Sequence, residues 1–220
     1  MNNEETLTLE NEFLQVRILP AFGGKISSLR SVRTGEEFLL PPLRGYRHVS
    51  RTAGFHEGDL GGFDECLPSV ASCESISDEP PVPDHGDLWR SKWHIDSYDR
   101  PITLHADSLS RPLRLTRDAR LDGPSLVLDY DLLNLSDSPT TWLWSAHPLL
   151  RIEEGDRIVL PDEIKEVVVE YSAAGIFEKN SAISWPQAKS ALGTTIDLSI
   201  VEKRDGVTAH KLFACAGRSG

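Results

Sequence analysis

Apolar residues recur at every second position through most of this chain, and that spacing constrains the fold more than any other feature. Successive side chains on an extended strand point to opposite faces, so alternation marks a strand with one buried face. Leu14, Val16 and Ile18 alternate with Gln15 and Arg17 until Pro20. A second run from Lys25 to Val32 follows Gly23-Gly24, and Glu36 to Leu40 leads into Pro41-Pro42, which together read as an antiparallel meander. The pattern returns at Ile102, Leu104 and Ala106; at Leu113 and Leu115; at Leu126, Leu128, Tyr130 and Leu132; at Val167, Val169 and Tyr171; and at Ile196, Leu198 and Ile200. Pro, Gly, Asp, Asn or Ser bounds each run and supplies the dihedrals and local side-chain bonds that turns require. Helical periodicity is hard to find, and no unit of about 20–50 residues repeats, which excludes propellers and solenoids. The expected fold is all-β, a large antiparallel sandwich forming a single domain over residues 1–220.

Two stretches break the alternation. Leu43 to Phe63 carries five glycines, at 45, 54, 58, 61 and 62, and Ser77 to Gly86 carries Pro80, Pro81 and Pro83. Long irregular loops inside a compact domain are more often functional than idle, so these are expected to line one face of a cleft. Charge narrows what could enter it. Lys and Arg number 23 against 34 Asp and Glu, a net charge of −11. Such a surface repels nucleic-acid phosphates, and no Lys/Arg-rich run offsets it locally. No apolar run approaches the roughly 18 residues that a membrane helix needs. The acidic, polar start from Met1 to Leu9 is unlike a signal peptide, and a cytoplasmic location is the expectation. Cys66, Cys73 and Cys215 make an odd count without CxxC spacing, which points to reduced, partly buried thiols.

The common catalytic motifs are absent. The chain has no GxGxxG, GxxxxGK[ST], HExxH or GxSxG, and no His pair at ligand spacing with a nearby carboxylate. Neither a nucleotide cofactor nor a metal is therefore expected, and small-molecule chemistry falls to His, Asp, Glu, Arg and Trp in loops on a β scaffold. Aromatic faces stack on the C–H faces of sugars while charged side chains bond the hydroxyls, so the tryptophans at 89, 93, 142, 144 and 185 suit a carbohydrate cleft. Trp142 and Trp144, two apart, read equally as one face of a core strand, whereas Trp89 follows a loop. Asp64 and Glu65 are adjacent, point to opposite faces of a strand and cannot flank one bond together. Asp64, just after Gly61-Gly62, is the better cleft candidate. Among seven histidines, those at 48, 56, 94, 105 and 210 lack distinctive context. His85 stands in a loop before Gly86, and His147 ends an apparent aromatic strand before Pro148, where a proton-transferring group is held firmly.

Taken together, several segments resemble the aldose 1-epimerase, or galactose mutarotase-like, superfamily, and more closely a bacterial branch with an "HGELW"-like loop. They are residues 9–26, from Leu9-Glu10-Asn11 to Gly23-Gly24-Lys25-Ile26; Gly61-Gly62-Phe63-Asp64-Glu65-Cys66-Leu67-Pro68-Ser69; Pro83-Asp84-His85-Gly86-Asp87-Leu88-Trp89; and Asn134 to Pro139 leading to Trp144-Ser145-Ala146-His147-Pro148-Leu149. The match runs from about Thr6 to at least Leu160. The resemblance implies a β-supersandwich with a sugar cleft on one sheet and interconversion of the α and β anomers of a free hexose, without metal or nucleotide. It implies that His147, in a His-Pro motif, is the acid and that His85, in a His-Gly motif, binds a sugar oxygen. Asp64, Trp89 and a basic residue, Arg44, Arg47 or Arg51, would complete the substrate site, with Arg51 the one assigned to it. Resembling proteins are longer and carry a base Glu near the C-terminus. The chain stops at Gly220 before such a segment, so a fold shortened at its C-terminus is expected, with Asp64 a stand-in base. The alternative is a non-catalytic carbohydrate-binding protein of the same fold.

Overall fold

A computed structural model of the chain describes residues 5–74, 79–203 and 206–214. The chain is all-β: among the described residues strands are joined by turns and three single 3-10 turns, and the chain groups into two compact units, Met1–Arg151 and Ile152–Gly220. No helix among the described residues is long and apolar enough to cross a membrane.

The first unit is a sandwich of two antiparallel sheets. One consists of β1 (Leu7–Glu10), β2 (Leu14–Leu19), β3 (Lys25–Ser31), β4 (Phe63–Cys66) and β9 (Ser145–Pro148), in that spatial order. The other consists of β5 (His94–Ser97), β6 (Ile102–Asp107), β7 (Leu113–Asp122) and β8 (Ser125–Asn134). Alternation does what the sequence predicts. Leu7, Leu9, Val16, Ile18 and Ile26 from the first sheet meet Ile102, Leu104, Ala106, Leu113, Leu115 and Ala119 from the second in one buried core. The ten-residue strands β7 and β8 pair without a break from Leu113↔Asn134 to Asp122↔Ser125, leaving Gly123-Pro124 as the two-residue turn.

The second unit contains the sheet β11-β10-β14, with β10 at Glu166–Ser172, β11 at Ala182–Ser184 and β14 at His210–Ala214, and the pair β12 (Gln187–Lys189) and β13 (Thr195–Asp197). Its core is small: Val169, Phe177 and Ala188, with Ile176, Ile183, Ile196, Leu198 and Leu212 packed around them.

Three expectations fail. Glu36 to Leu40 makes only isolated bridges, Glu37 to Arg30 and Leu39 to Leu150, and not a meander strand. Val167 and Val169 are buried as alternation requires, but Tyr171 is 56% exposed. The β10–β14 register shifts between Val169 and Tyr171, and such an irregularity turns the next side chain to the other face. Trp142 and Trp144 do not share a strand face, because β9 begins only at Ser145. The Leu143 N–H donates to the Pro68 carbonyl instead of to a ladder; Trp142 is exposed, while Trp144 packs against the core. Cys66 is buried, Cys73 is half-buried and neither forms a disulfide among the described residues; Cys215 lies outside them.

Candidate functional site

Strand β4 is covered on both faces, and its two carboxylates have opposite fates. It pairs with β9 in the register Asp64↔His147 and Cys66↔Ser145. Directly paired residues share a face, so Asp64, Cys66 and His147 project outward from the five-stranded sheet and Glu65 projects into the core. As adjacency predicts, Asp64 and Glu65 cannot act on one bond. Neither is a surface charge: both are fully buried.

Glu65 meets the second sheet. Its Oε1 accepts from Arg117 Nη1 at 3.1 Å and from the Tyr130 hydroxyl at 2.6 Å, and its Oε2 accepts from Trp144 Nε1 at 2.9 Å. Arg117 also donates to the Gly24 carbonyl and lies 5.1 Å from the Trp93 ring centre. Burial pushes the Glu65 carboxyl up, and the Arg117 charge and the three donors pull against it.

On the outer face Lys25 Nζ, itself buried, lies 2.5 Å from Asp64 Oδ2, 3.2 Å from Asp59 Oδ1 and 2.8 Å from the Gly61 carbonyl. Asp64 Oδ1 is buried without a hydrogen-bond partner. Burial raises the Asp64 carboxyl to about 6, with Lys25 pulling it down and Asp59 and Glu65 adding to the rise. Beside this cluster runs a groove of about 770 Å³ lined by Arg17, Phe22, Tyr46 and His48 among others. Burial, then the Asp59 charge, pushes the Tyr46 hydroxyl up to about 12.

The long loops close over the same face. Arg90 binds them together: its Nη1 donates to the carbonyls of Ser50, Arg51 and Ala53, and its Nη2 to that of Asp84. Asp84 Oδ2 accepts from the Phe55 N–H at 2.8 Å, and Asp84 Oδ1 lies 2.9 Å from His85 Nδ1. Burial alone would raise the Asp84 carboxyl, but those two bonds together with the nearby His85 and Arg90 charges hold the group below its ordinary value. An ionised carboxylate can only accept, so His85 donates to it from Nδ1, which leaves Nε2 as the ring nitrogen turned away from Asp84. The His85 ring stacks on Phe55 at 4.3 Å between centres, and the His147 ring stands edge-on to Phe55 at 5.0 Å and to His85 at 5.1 Å.

Two expected site residues, His85 and His147, thus come together although 62 positions separate them. Trp89 is close by and buried, its ring 5.1 Å from Phe55 and its indole N–H on the Asp84 carbonyl. Asp64 lies across the strand pair from His147, beneath Lys25. The arginines serve the loops: Arg44 and Arg47 donate to the carbonyls of His56 and Glu57, and Arg51 reaches Ser110 Oγ at 2.7 Å, with Asp87 at 3.8 Å. Nothing in the sequence marks Phe55, Cys66, Asp84 or Arg90 as site residues. Arg117 had a signal, since the inward set Leu113, Leu115 and Ala119 includes position 117; Phe55 sits in an irregular loop with none.

Gly86 fixes His85 in place. His85 and Gly86 both have positive φ, 59° and 72°, and a Cβ on Gly86 would lie 2.1 Å from the Leu67 carbonyl oxygen. Backbone cannot yield there, so Gly86→Ala is expected to lose about 2 kcal/mol or more of stability and to displace the His85 ring. Urea denaturation and the imidazole NMR signals check this; an unshifted midpoint with unmoved signals would contradict it.

The fold and this outer face define a class, an all-β sandwich carrying two converging imidazoles under loops. No family model matches the chain, and no curated protein matches it. Among solved structures it is similar to Slr1438 from Synechocystis sp. PCC 6803, with 14% identity and a TM-score of 0.54 over 84% of this chain and 65% of that one. It therefore spans less than two thirds of Slr1438, and the likeness is one of fold. A looser superposition, TM-score 0.47 at 17% identity, is found with the 4-alpha-glucanotransferase from Thermococcus litoralis, over 98% of this chain and 36% of that one.

Proposed function

We propose that the chain is an aldose 1-epimerase-like protein, a single galactose mutarotase-like domain that binds a free sugar and interconverts its anomers. The observation that carries this reading is the pair of imidazoles 5.1 Å apart with a carboxylate behind one of them. Opening a hemiacetal needs a base for the anomeric hydroxyl proton and an acid for the ring oxygen. Both oxygens are bonded to one carbon, so acid and base must converge on one small volume, as these rings do. His147 is the proton donor. His85, oriented by Asp84, offers Nε2 to a sugar hydroxyl and is better placed than buried Asp64 to take the anomeric proton. Trp89 then supports the loop wall, Arg51 steadies the loops through Ser110, and Asp64 stands across the strand pair from His147.

Polarimetry or proton NMR on freshly dissolved α-glucose and α-galactose tests the reading. The protein is expected to speed equilibration, and His147→Ala to slow the catalysed rate by about tenfold or more. Equilibration no faster than in buffer would sink the catalytic reading for those sugars, and saturable binding without acceleration would leave the non-catalytic alternative.

A further inference from the structure

The same face holds a second chemistry that the sugar reading does not use. Cys66 Sγ and one nitrogen each of His85 and His147 all lie within 4.8 Å of one another. We propose that these three side chains bind a thiophilic divalent transition metal, zinc in the first instance, with a fourth position open to solvent or a small ligand.

Three features argue for it. The donor set is right: one thiolate and two imidazoles suit zinc, and three protein ligands leave the open position of a reactive rather than a structural site. The placement is right too. Cys66 and His147 are diagonal neighbours on the paired strands β4 and β9, a rigid base, and His85 comes down from a loop seated on the Leu67 backbone. Tetrahedral zinc holds such atoms about 3.3–3.7 Å apart, so the three need to close by only about 1 Å. The outer shell is also present. Asp84 Oδ1, 2.9 Å from His85 Nδ1, fixes the tautomer that turns Nε2 toward a metal, the carboxylate–histidine arrangement typical of zinc sites. Cys66 is buried while both imidazoles are half-buried, so the histidine side is the way in. On binding, the Cys66 thiol gives its proton to solvent, and the metal takes the imidazole nitrogens that the sugar reading assigns to proton transfer. Metal and sugar chemistry are then mutually exclusive states of one site.

The test uses the whole chain stripped with a chelator and titrated with Co²⁺, then Zn²⁺. A thiolate-to-cobalt charge-transfer band in the near ultraviolet is expected, with the intense visible bands of four-coordinate cobalt, saturating at one equivalent and abolished by zinc. Cys66→Ser should remove the charge-transfer band, and Cys66→Ser, His85→Ala and His147→Ala should each weaken zinc binding about tenfold or more, with Asp84→Asn weakening it about 10–100-fold. X-ray absorption at the zinc edge of the unmutated protein should show one sulfur and two imidazoles, a measurement that does not depend on a buried-cysteine variant folding. No charge-transfer band from the folded protein, a band that survives Cys66→Ser, or a zinc shell without sulfur would each overturn the proposal. Mutarotation by the stripped protein is read separately: its absence removes the sugar reading and leaves the metal site standing, and the reverse result is equally distinguishable.

Discussion

Arg117→Met is expected to lower stability by about 3–5 kcal/mol at neutral pH, the cost of leaving a buried charge without its partner. Arg117 and Glu65 are both fully buried between the two sheets, 3.1 Å apart. Methionine nearly fills the volume, so the loss reports the charge and not a cavity. Tyr130 and Trp144 still donate to Glu65 in the variant, but neither neutralises it. Adding Glu65→Gln to Arg117→Met should therefore recover more than half of the loss, because the amide oxygen still accepts a bond and no net charge remains. Glu65→Leu should recover less, since it strands the half-buried Tyr130 hydroxyl and Trp144 indole at about 1 kcal/mol each. Urea denaturation of the unmutated protein, Arg117→Met, Glu65→Gln and their double variant closes the cycle and gives the coupling directly. A loss below about 1 kcal/mol for Arg117→Met would mean that water reaches Glu65, and the dry inter-sheet pair would be wrong.

This network also shows what the chain's pattern could and could not convey. Alternation places β2, β6, β7 and β8 correctly because apolar residues dominate every second, inward position; β3 instead turns Ile26 and Leu29 inward, three apart, across a register shift opposite Arg17 and Ile18. Alternation fails where a strand is buried on both faces, as β4 is, since Phe63-Asp64-Glu65-Cys66 has no alternation to read. It fails again at β10, where an irregularity in pairing is a property of two strands and leaves no trace in one. Trp144 and Trp142 look equivalent two apart, yet only one finds an acceptor for its indole N–H inside the sandwich, and that acceptor lies 79 positions away.

The site was legible in a similarly uneven way. His85 and His147 stand out because a Gly and a Pro follow them; Gly86 fixes the backbone beneath His85, whereas His147 is held by the pairing of β9 with β4. The groups that tune them were hidden. Asp84 acts through a bond to its own neighbour, Phe55 through a loop fold that composition does not encode, and Cys66 through a cross-strand diagonal. Ligand spacing in sequence excluded a metal motif, but β4, β9 and the 85–89 loop assemble a Cys-His-His trio from three distant segments.

Lys25→Met is the companion case on the outer face, and there pH separates the causes. Asp64 titrates near 6 in the folded protein against about 3.8 when exposed, so the folded state holds its proton more tightly. The sign follows: the stabilising contribution of the protonated carboxyl is complete below about pH 4 and is lost as pH rises through about 6, an interval worth about 3 kcal/mol. Asp64→Asn cannot titrate and should lack this fall, which is read as the difference between its stability profile and that of the unmutated protein across pH 4–7. Lys25 is 1% exposed, and its ammonium offsets the charge on Asp64 and Asp59. Removing it should cost about 3–5 kcal/mol at pH 7.5, where Asp64 is ionised, and distinctly less at pH 5, where a proton takes the place of the lysine. Equal losses at the two pH values would place the lysine's contribution in packing of its four-carbon stem, and the buried ion pair would not be what holds β3 to β4. A pH-dependent loss would instead locate, directly across the strand pair from His147, a carboxyl whose charge state changes just below neutrality, so that the field at the imidazole pair would follow the protonation of Asp64.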